Sequence, residues 1–160
     1  MVRGTVLVLV LVLESGQRER TMGFDHERLD VYRVGIEFLR WVGELLDGPL
    51  AAASDSAVKQ LERASTSIVL NIAEGNGKRS SRDRCRYFDT SRGSALECAA
   101  CLDVLVARKR IEETRASQGK HLLERVVSML SKMTLRLLGS LEDASTSTST
   151  STSTLVNNPG

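Results

Sequence analysis

Apolar residues recur along this chain at the alternating three-and-four spacing of helices that bury one face. From Leu29 to Leu46 they fall at Leu29, Tyr32, Ile36, Leu39 and Leu46, with Val31, Phe38, Val42 and Leu45 widening the stripe, and Asp47, Gly48 and Pro49 bring the pattern to a stop. A second pattern runs through Val58, Leu61, Ser65, Ile68 and Ile72, preceded by Ser54, Asp55 and Ser56 as N-cap residues. Gly75 is placed to end it in the left-handed cap conformation. The third opens at Ser80, which with Asp83 resembles a capping box, and continues through Phe88, Ser91, Ala95, Cys98, Leu102 and Leu105. Arg108, Lys109 and Arg110 close it, where cations favour the helix dipole. The fourth, from about Glu112 to Leu138, carries Leu123, Val126, Leu130, Met133 and Leu137, with Gly139 as its cap. Four amphipathic helices on short connections predict an all-α fold, an antiparallel up-and-down four-helix bundle.

The two ends depart from this pattern. Thr5 to Leu13 is an apolar run too short to span a bilayer, which takes about 20 residues. With Arg3 ahead of it, the run has the form of a secretory signal, although Glu14, Ser15, Gly16 and Gln17 make a poor cleavage site. The preferred reading makes residues 1–21 an extension outside the fold, with folded sequence starting near Met22; left exposed, alternating Val and Leu would be prone to aggregate. Residues 144–160 begin with a Ser-Thr repeat that has no apolar face to bury, so a disordered tail is expected there. The domain is therefore expected over residues 22–143.

Composition sharpens this only in places. Aromatic residues make up 4% of the 160, so the core is built from aliphatic and small side chains, and the two prolines leave room for long helices. Formal net charge is +2; setting aside Arg3, Arg18, Arg20, Glu14 and Glu19 leaves 19 cations against 18 anions in residues 22–143. No global field then draws the chain to nucleic acid or anionic lipid, and no membrane role is expected. Cys85, Cys98 and Cys101 are too few for a disulfide framework, which points to a reducing, cytoplasmic setting. Cys98 and Cys101 stand one turn apart, but neither His26 nor His121 follows at zinc-finger spacing, so they read as small core residues. Neither metal nor cofactor is expected.

The Gly-Lys-Ser-rich stretch at residues 71–81 raises the question of a phosphate loop. A Walker loop needs a glycine five positions before its Gly-Lys and a hydroxyl residue after it; here Ile72 and Arg79 occupy those places. The stretch also follows a helical pattern rather than a strand, so it reads as helix punctuation. Together, "SIVLNIAEGNGKRS" (67–80) and "RYFDTSRGSALE" (86–97) resemble the signature of a four-helix bundle family that includes proteins encoded in intervening sequences of bacterial 23S ribosomal RNA genes. "LDVYRVGIEF" and "LLERVVSMLSKM" extend the likeness over most of residues 28–134. A related branch comprises accessory variability proteins of diversity-generating retroelements, barrel-like pentamers that work with a reverse transcriptase and nucleic acid. The resemblance implies a non-enzymatic homo-oligomer, a pentamer on the pattern of that branch, without fixing its role.

Within the motif, Asn71 and Glu74 end the second helix and Ser94 and Glu97 lie mid-way along the third. Read as structural polar groups, they hydrogen-bond across helices and hold the Gly75–Gly77 turn. Read as paired carboxylates, Glu74 and Glu97 lie too far apart along antiparallel helices and lack a third catalytic group. The remaining candidate is electrostatic. Lys78, Arg79, Arg82, Arg84 and Arg86 against Asp83 give a local +4, and an antiparallel bundle brings Lys132 and Arg136 to the same end. Such a surface neutralises RNA or DNA phosphates without reading bases. Asp25, Glu27, Asp30 and Glu74 should lie nearby and weaken it, so a solvated, ion-paired face stands as the alternative, as does a scaffold that binds a protein partner alone.

Overall fold

The computed structural model describes residues 23–53 and 55–149. After a 3-10 turn at Asp25–Arg28 come four helices: α1 (Asp30–Asp47), α2 (Ser56–Gly77), α3 (Ser81–Ala107) and α4 (Glu113–Ser149). No strand occurs among the described residues. Each helix packs on its sequence neighbours and α4 closes against α1, with α2 on α3 the most extensive interface. The result is the up-and-down bundle that short antiparallel connections predict.

The predicted stripes of α2 and α3 are buried throughout, and on α4 Leu123, Val126 and Leu130 are buried while Met133 and Leu137 pack against the core. Phe38, Leu61, Ile68, Phe88, Leu102 and Leu130 are wholly sequestered; burying a side chain of this size contributes about 1.5–3 kcal/mol. The hydroxyls inside this core do not go unpaired. Ser65 donates to the Glu62 carbonyl and Ser91 to the Ile68 carbonyl, both at 2.9 Å, which removes the penalty for burying them and lets α2 and α3 approach closely.

On α1 the buried face includes the predicted Val31, Phe38, Val42 and Leu45 but is centred away from the rest of the predicted stripe. Val31, Val34, Gly35, Phe38, Trp41, Val42 and Leu45 point inward, while Tyr32, Ile36, Leu39 and Leu46 are only half-buried. Glycine decides between the two faces: a Cβ on Gly35 would come 3.0 Å from Val69, so this side of α1 can lie closest to α2. Gly119 works similarly on α4, where an added Cβ would overlap the Trp41 ring at 2.4 Å.

The helix ends bring further corrections. Asp55 caps α2, its carboxylate accepting from the Ala57 amide at 2.9 Å, and Ser80 caps α3 through the Asp83 amide at 3.3 Å. Gly75 is not a left-handed cap, because none of the described glycines has positive φ and α2 runs through Gly75 to Gly77. The turn is Lys78–Ser80 instead. The residue that does adopt the left-handed region is Lys109, at φ 56°. Its amide donates to Val106 and that of Arg110 to Leu105, the paired bonds of a Schellman cap with lysine where glycine is usual. Nor does Gly139 stop α4, which continues to Ser149 and into the Ser-Thr repeat. Residues 1–22 and 150–160, and with them the predicted leader and the rest of the tail, lie outside the described residues.

Candidate nucleic-acid interface

The α2–α3 interface carries two matched rows of polar side chains beside its apolar stripe. On α2 these are Gln60, Arg63, Ser67, Asn71, Glu74 and Lys78; on α3 they are Tyr87, Ser94 and Glu97. Gln60 hydrogen-bonds to Glu97, and Arg63 pairs with the same carboxylate at 3.5 Å. One level along, the Ser67 and Ser94 hydroxyls share a hydrogen bond of 2.9 Å, and the Asn71 amide donates to both the hydroxyl and the carbonyl of Ser67. The seam ends at Glu74, which pairs with Lys78 at 3.1 Å. The Tyr87 hydroxyl, and then Lys78, hold the Glu74 carboxyl below its usual range, while Glu74 raises the Lys78 ammonium; Lys78 also sits 4.8 Å from the centroid of the Tyr87 ring.

Ser94 and Glu97 therefore do bond across helices, to Ser67 and to Gln60 and Arg63, while Glu74 pairs with Lys78 of its own helix. Asn71 bonds within its own helix and joins the seam through Ser67. Gly75 supports this end by its lack of a side chain: an added Cβ would stand 2.9 Å from Phe88 Cε1 and 2.9 Å from Tyr87 Cβ. Glu74 and Glu97 belong to opposite ends of the seam, each neutralised by its own cation, which leaves no carboxylate pair around a common point. Gln60, Arg63, Ser67 and Tyr87 are members that the sequence reading missed, although their three-and-four spacing was a signal for them.

At the glycine end the chain turns and its cations separate into two sorts. Lys78 is internally paired and lines a depression of about 350 Å³ with Asp83, Arg86, Tyr87 and Thr90. Arg84 is half-buried; its guanidinium lies 6.0 Å from the Phe88 centroid and its Nε is buried without a hydrogen-bond partner among the described residues. Arg79, Arg82 and Arg86 are exposed and make no ion pair among the described residues. They surround the start of α3, where unsatisfied amides and the helix dipole add positive potential. Of the acidic neighbours expected to weaken this field, Asp25 and Asp30 pair locally with Arg28 and Arg33.

Lys132 and Arg136 are exposed on α4 at the same end, since Cys85 of α3 lies 4.0 Å from the Thr134 carbonyl. At 100° per residue they point away from the α3-facing side of α4, so they flank the arginine group rather than join it. Cys98 is buried in the α2–α3 core, its thiol pushed up to about 12 by desolvation, and its Sγ lies 4.0 Å from the Leu61 carbonyl. Among the described residues no group of acids, histidines and cysteines is arranged to hold a metal, and no helix is long and apolar enough to cross a membrane.

With this geometry in view, the comparisons with known proteins converge. The family model described as 23S rRNA-intervening sequence protein matches residues 27–132. A crystal structure from Bacteroides thetaiotaomicron VPI-5482, described as a protein of unknown function from the S23 ribosomal protein family, is similar in fold at a TM-score of 0.61. The two are 21% identical over 65% of this chain and 97% of that one. The comparison with curated proteins finds no match.

Proposed function

Since the chain belongs to the 23S rRNA-intervening sequence protein family, we propose that it is a non-catalytic, oligomeric adaptor whose basic end contacts the backbone of RNA or DNA. The observation that carries this reading is the trio Arg79, Arg82 and Arg86, solvent-exposed at the start of α3 and without ion pairs among the described residues. Cations held in internal pairs do not need an external anion, whereas these three pair with none among the described residues. Arg82 and Arg86 stand one helical turn apart, a rise of about 6 Å that matches the spacing of successive phosphates on a strand. Aromatic stacking plays no part: Phe88 is wholly buried and Tyr87 is committed to Glu74 and Lys78.

Purification without nuclease tests this reading. The wild-type protein should retain nucleic acid that the Arg82→Glu/Arg86→Glu variant loses, with the same oligomeric mass by light scattering. Equal retention by both would overturn it. A second reading, a protein-interaction scaffold, draws on Leu70 and Leu96, which are 62% and 56% exposed on α2 and α3. It is favoured if a protein partner persists after nuclease treatment and in the double-arginine variant.

A further inference from the structure

A second apolar line runs along α1 beside the buried one. Leu29, Tyr32, Ile36, Leu39, Gly43 and Leu46 alternate at spacings of three and four, the period of a seam that packs against another helix. Every residue of this line is half-buried. At 100° per residue it is flanked on one side by Gly35, which meets Val69 of α2, and on the other by a row of exposed charges, Arg33, Glu37, Arg40 and Glu44. Gly43 stands out within the line. Glycine weakens a helix, yet a Cβ added there would meet nothing within 4 Å, so the packing of the chain itself gives no reason for it.

The row of charges alternates in sign, and its spacings of four, three and four read the same from either end. Turned end for end, the row sets each cation against an anion; laid parallel to itself, it opposes like charges throughout. Its members keep the capacity for a further partner. Arg40 makes no ion pair among the described residues. Glu37 takes Arg125 of α4 at 3.7 Å and Glu44 takes Arg115 at 3.1 Å, and a carboxylate accepts from more than one donor. Arg33 pairs with Asp30 at 3.5 Å and donates to the Glu27 carbonyl at 3.0 Å, which leaves other donors of its guanidinium unused.

We propose that a second copy of this chain docks antiparallel along α1, related to the first by a two-fold axis. Setting Ile36 of each copy opposite Leu39 of the other brings Leu29 opposite Leu46 and the large Tyr32 opposite Gly43, which leaves room for its ring. In the same register Arg33 comes within two residues of level with Glu44, and Glu37 within two of Arg40, an axial offset of about 3 Å that these side chains span. Size and charge thus match within α1 itself, which selects a second copy over an unrelated helix. The seam is about 26 Å long on a helix about 10–12 Å wide, so it covers about 300 Å² of each copy. That total of about 600 Å² lies below the roughly 1,000 Å² of a stable interface, so the pairing is reversible and grows with concentration. The inference rests on the oligomeric part of the reading above and is independent of its nucleic-acid part, which the retention assay reads separately.

Sedimentation equilibrium on the nuclease-treated full chain tests the pairing. The wild type should associate to an even number of copies as concentration rises. Arg33→Glu/Arg40→Glu makes the row wholly acidic and Glu37→Arg/Glu44→Arg makes it wholly basic, so each variant alone should associate about tenfold or more weakly. An equimolar mixture of the two should regain association, because the acidic row then meets the basic one; recovery also shows that both variants are folded. Gly43→Leu, whose side chain has open space within the single chain, should keep its helical circular dichroism and lose association, since the added group occupies the place of the Tyr32 ring. A wild type that stays single at every concentration, or an odd number of copies, would overturn the proposal. So would charge variants that associate like the wild type, a mixture of them that does not associate, or undiminished association of Gly43→Leu.

Discussion

Replacing Gly75 by alanine separates two accounts of the motif glycines that are otherwise hard to tell apart. If Gly75 served only as a helix end, alanine would be tolerated or stabilising, since glycine inside a helix costs about 0.5–1 kcal/mol relative to alanine. In the structure the added methyl stands 2.9 Å from Phe88 Cε1, 2.9 Å from Tyr87 Cβ and 3.0 Å from Phe88 Cδ1. Carbon atoms rest at about 3.5–4.0 Å, so a gap of about 0.6–1 Å must open between α2 and α3. Phe88 is wholly buried, so it cannot swing out into solvent to make room. Overpacking of this kind costs about 1–3 kcal/mol, which outweighs the gain in helix propensity. Gly77 provides the internal control: it also has negative φ, and its added Cβ would meet nothing within 4 Å. Gly77→Ala should therefore be neutral or slightly stabilising. Because the propensity gain is similar in both variants, the difference between them measures the clash, about 1–3 kcal/mol or about 3–10 °C in melting temperature for a bundle of this size. Urea and thermal unfolding followed by circular dichroism give the number. Equal stability of the two variants, or a more stable Gly75→Ala, would refute the close-approach reasoning.

Three further outcomes follow from particular positions. Lys109→Gly relieves a side chain from φ 56° and should raise stability by about 1 kcal/mol in the same unfolding assay. Gly119→Ala drives a methyl to 2.4 Å from the Trp41 ring and should cost about 2–3 kcal/mol, with a change in tryptophan fluorescence that marks the displaced ring. The Cys98 thiol ionises near 9.0 in the unfolded chain and about 12 when folded, so its contribution is intact below pH 9 and declines as pH rises from there toward 12. At pH 10 the loss is about 1.4 kcal/mol, and comparing unfolding of wild type and Cys98→Ala from pH 8 to 10 should show the variant lacking that part of the decline.

The parts legible in the sequence are those where spacing alone determines the outcome. On α2 and α3 the apolar residues at three-and-four spacing form one continuous stripe, beside which Leu70 and Leu96 stand singly, so Ile68, Ile72, Phe88 and Leu102 point inward as the spacing predicts. α1 has apolar residues on two faces, and the choice rests on Gly35 meeting Val69, a contact between helices that no periodicity within one helix contains. Gly75 misled for a related reason: glycine suits both a helix end and a close crossing, and only the position of Phe88 distinguishes them. Lys109 shows the converse, a left-handed residue imposed by the need to reverse the chain at a place where no glycine is available. At the candidate interface the basic cluster was visible as composition, but its division was not. Lys78 and Glu74 are one turn apart in sequence, yet their shared engagement with Tyr87 depends on how α3 returns against α2.

The central claim is that Arg79, Arg82 and Arg86 meet phosphates, and the salt dependence of binding tests it most directly. Fluorescence anisotropy with a labelled oligonucleotide, titrated over a series of potassium chloride concentrations, yields the slope of log affinity against log salt. Three arginines on three phosphates predict a slope of about −2.7 on duplex or about −2.1 on single strands, falling toward about one-third of that in Arg82→Glu/Arg86→Glu. Affinity that is flat across the salt series, or a slope unchanged in the double variant, would contradict the claim.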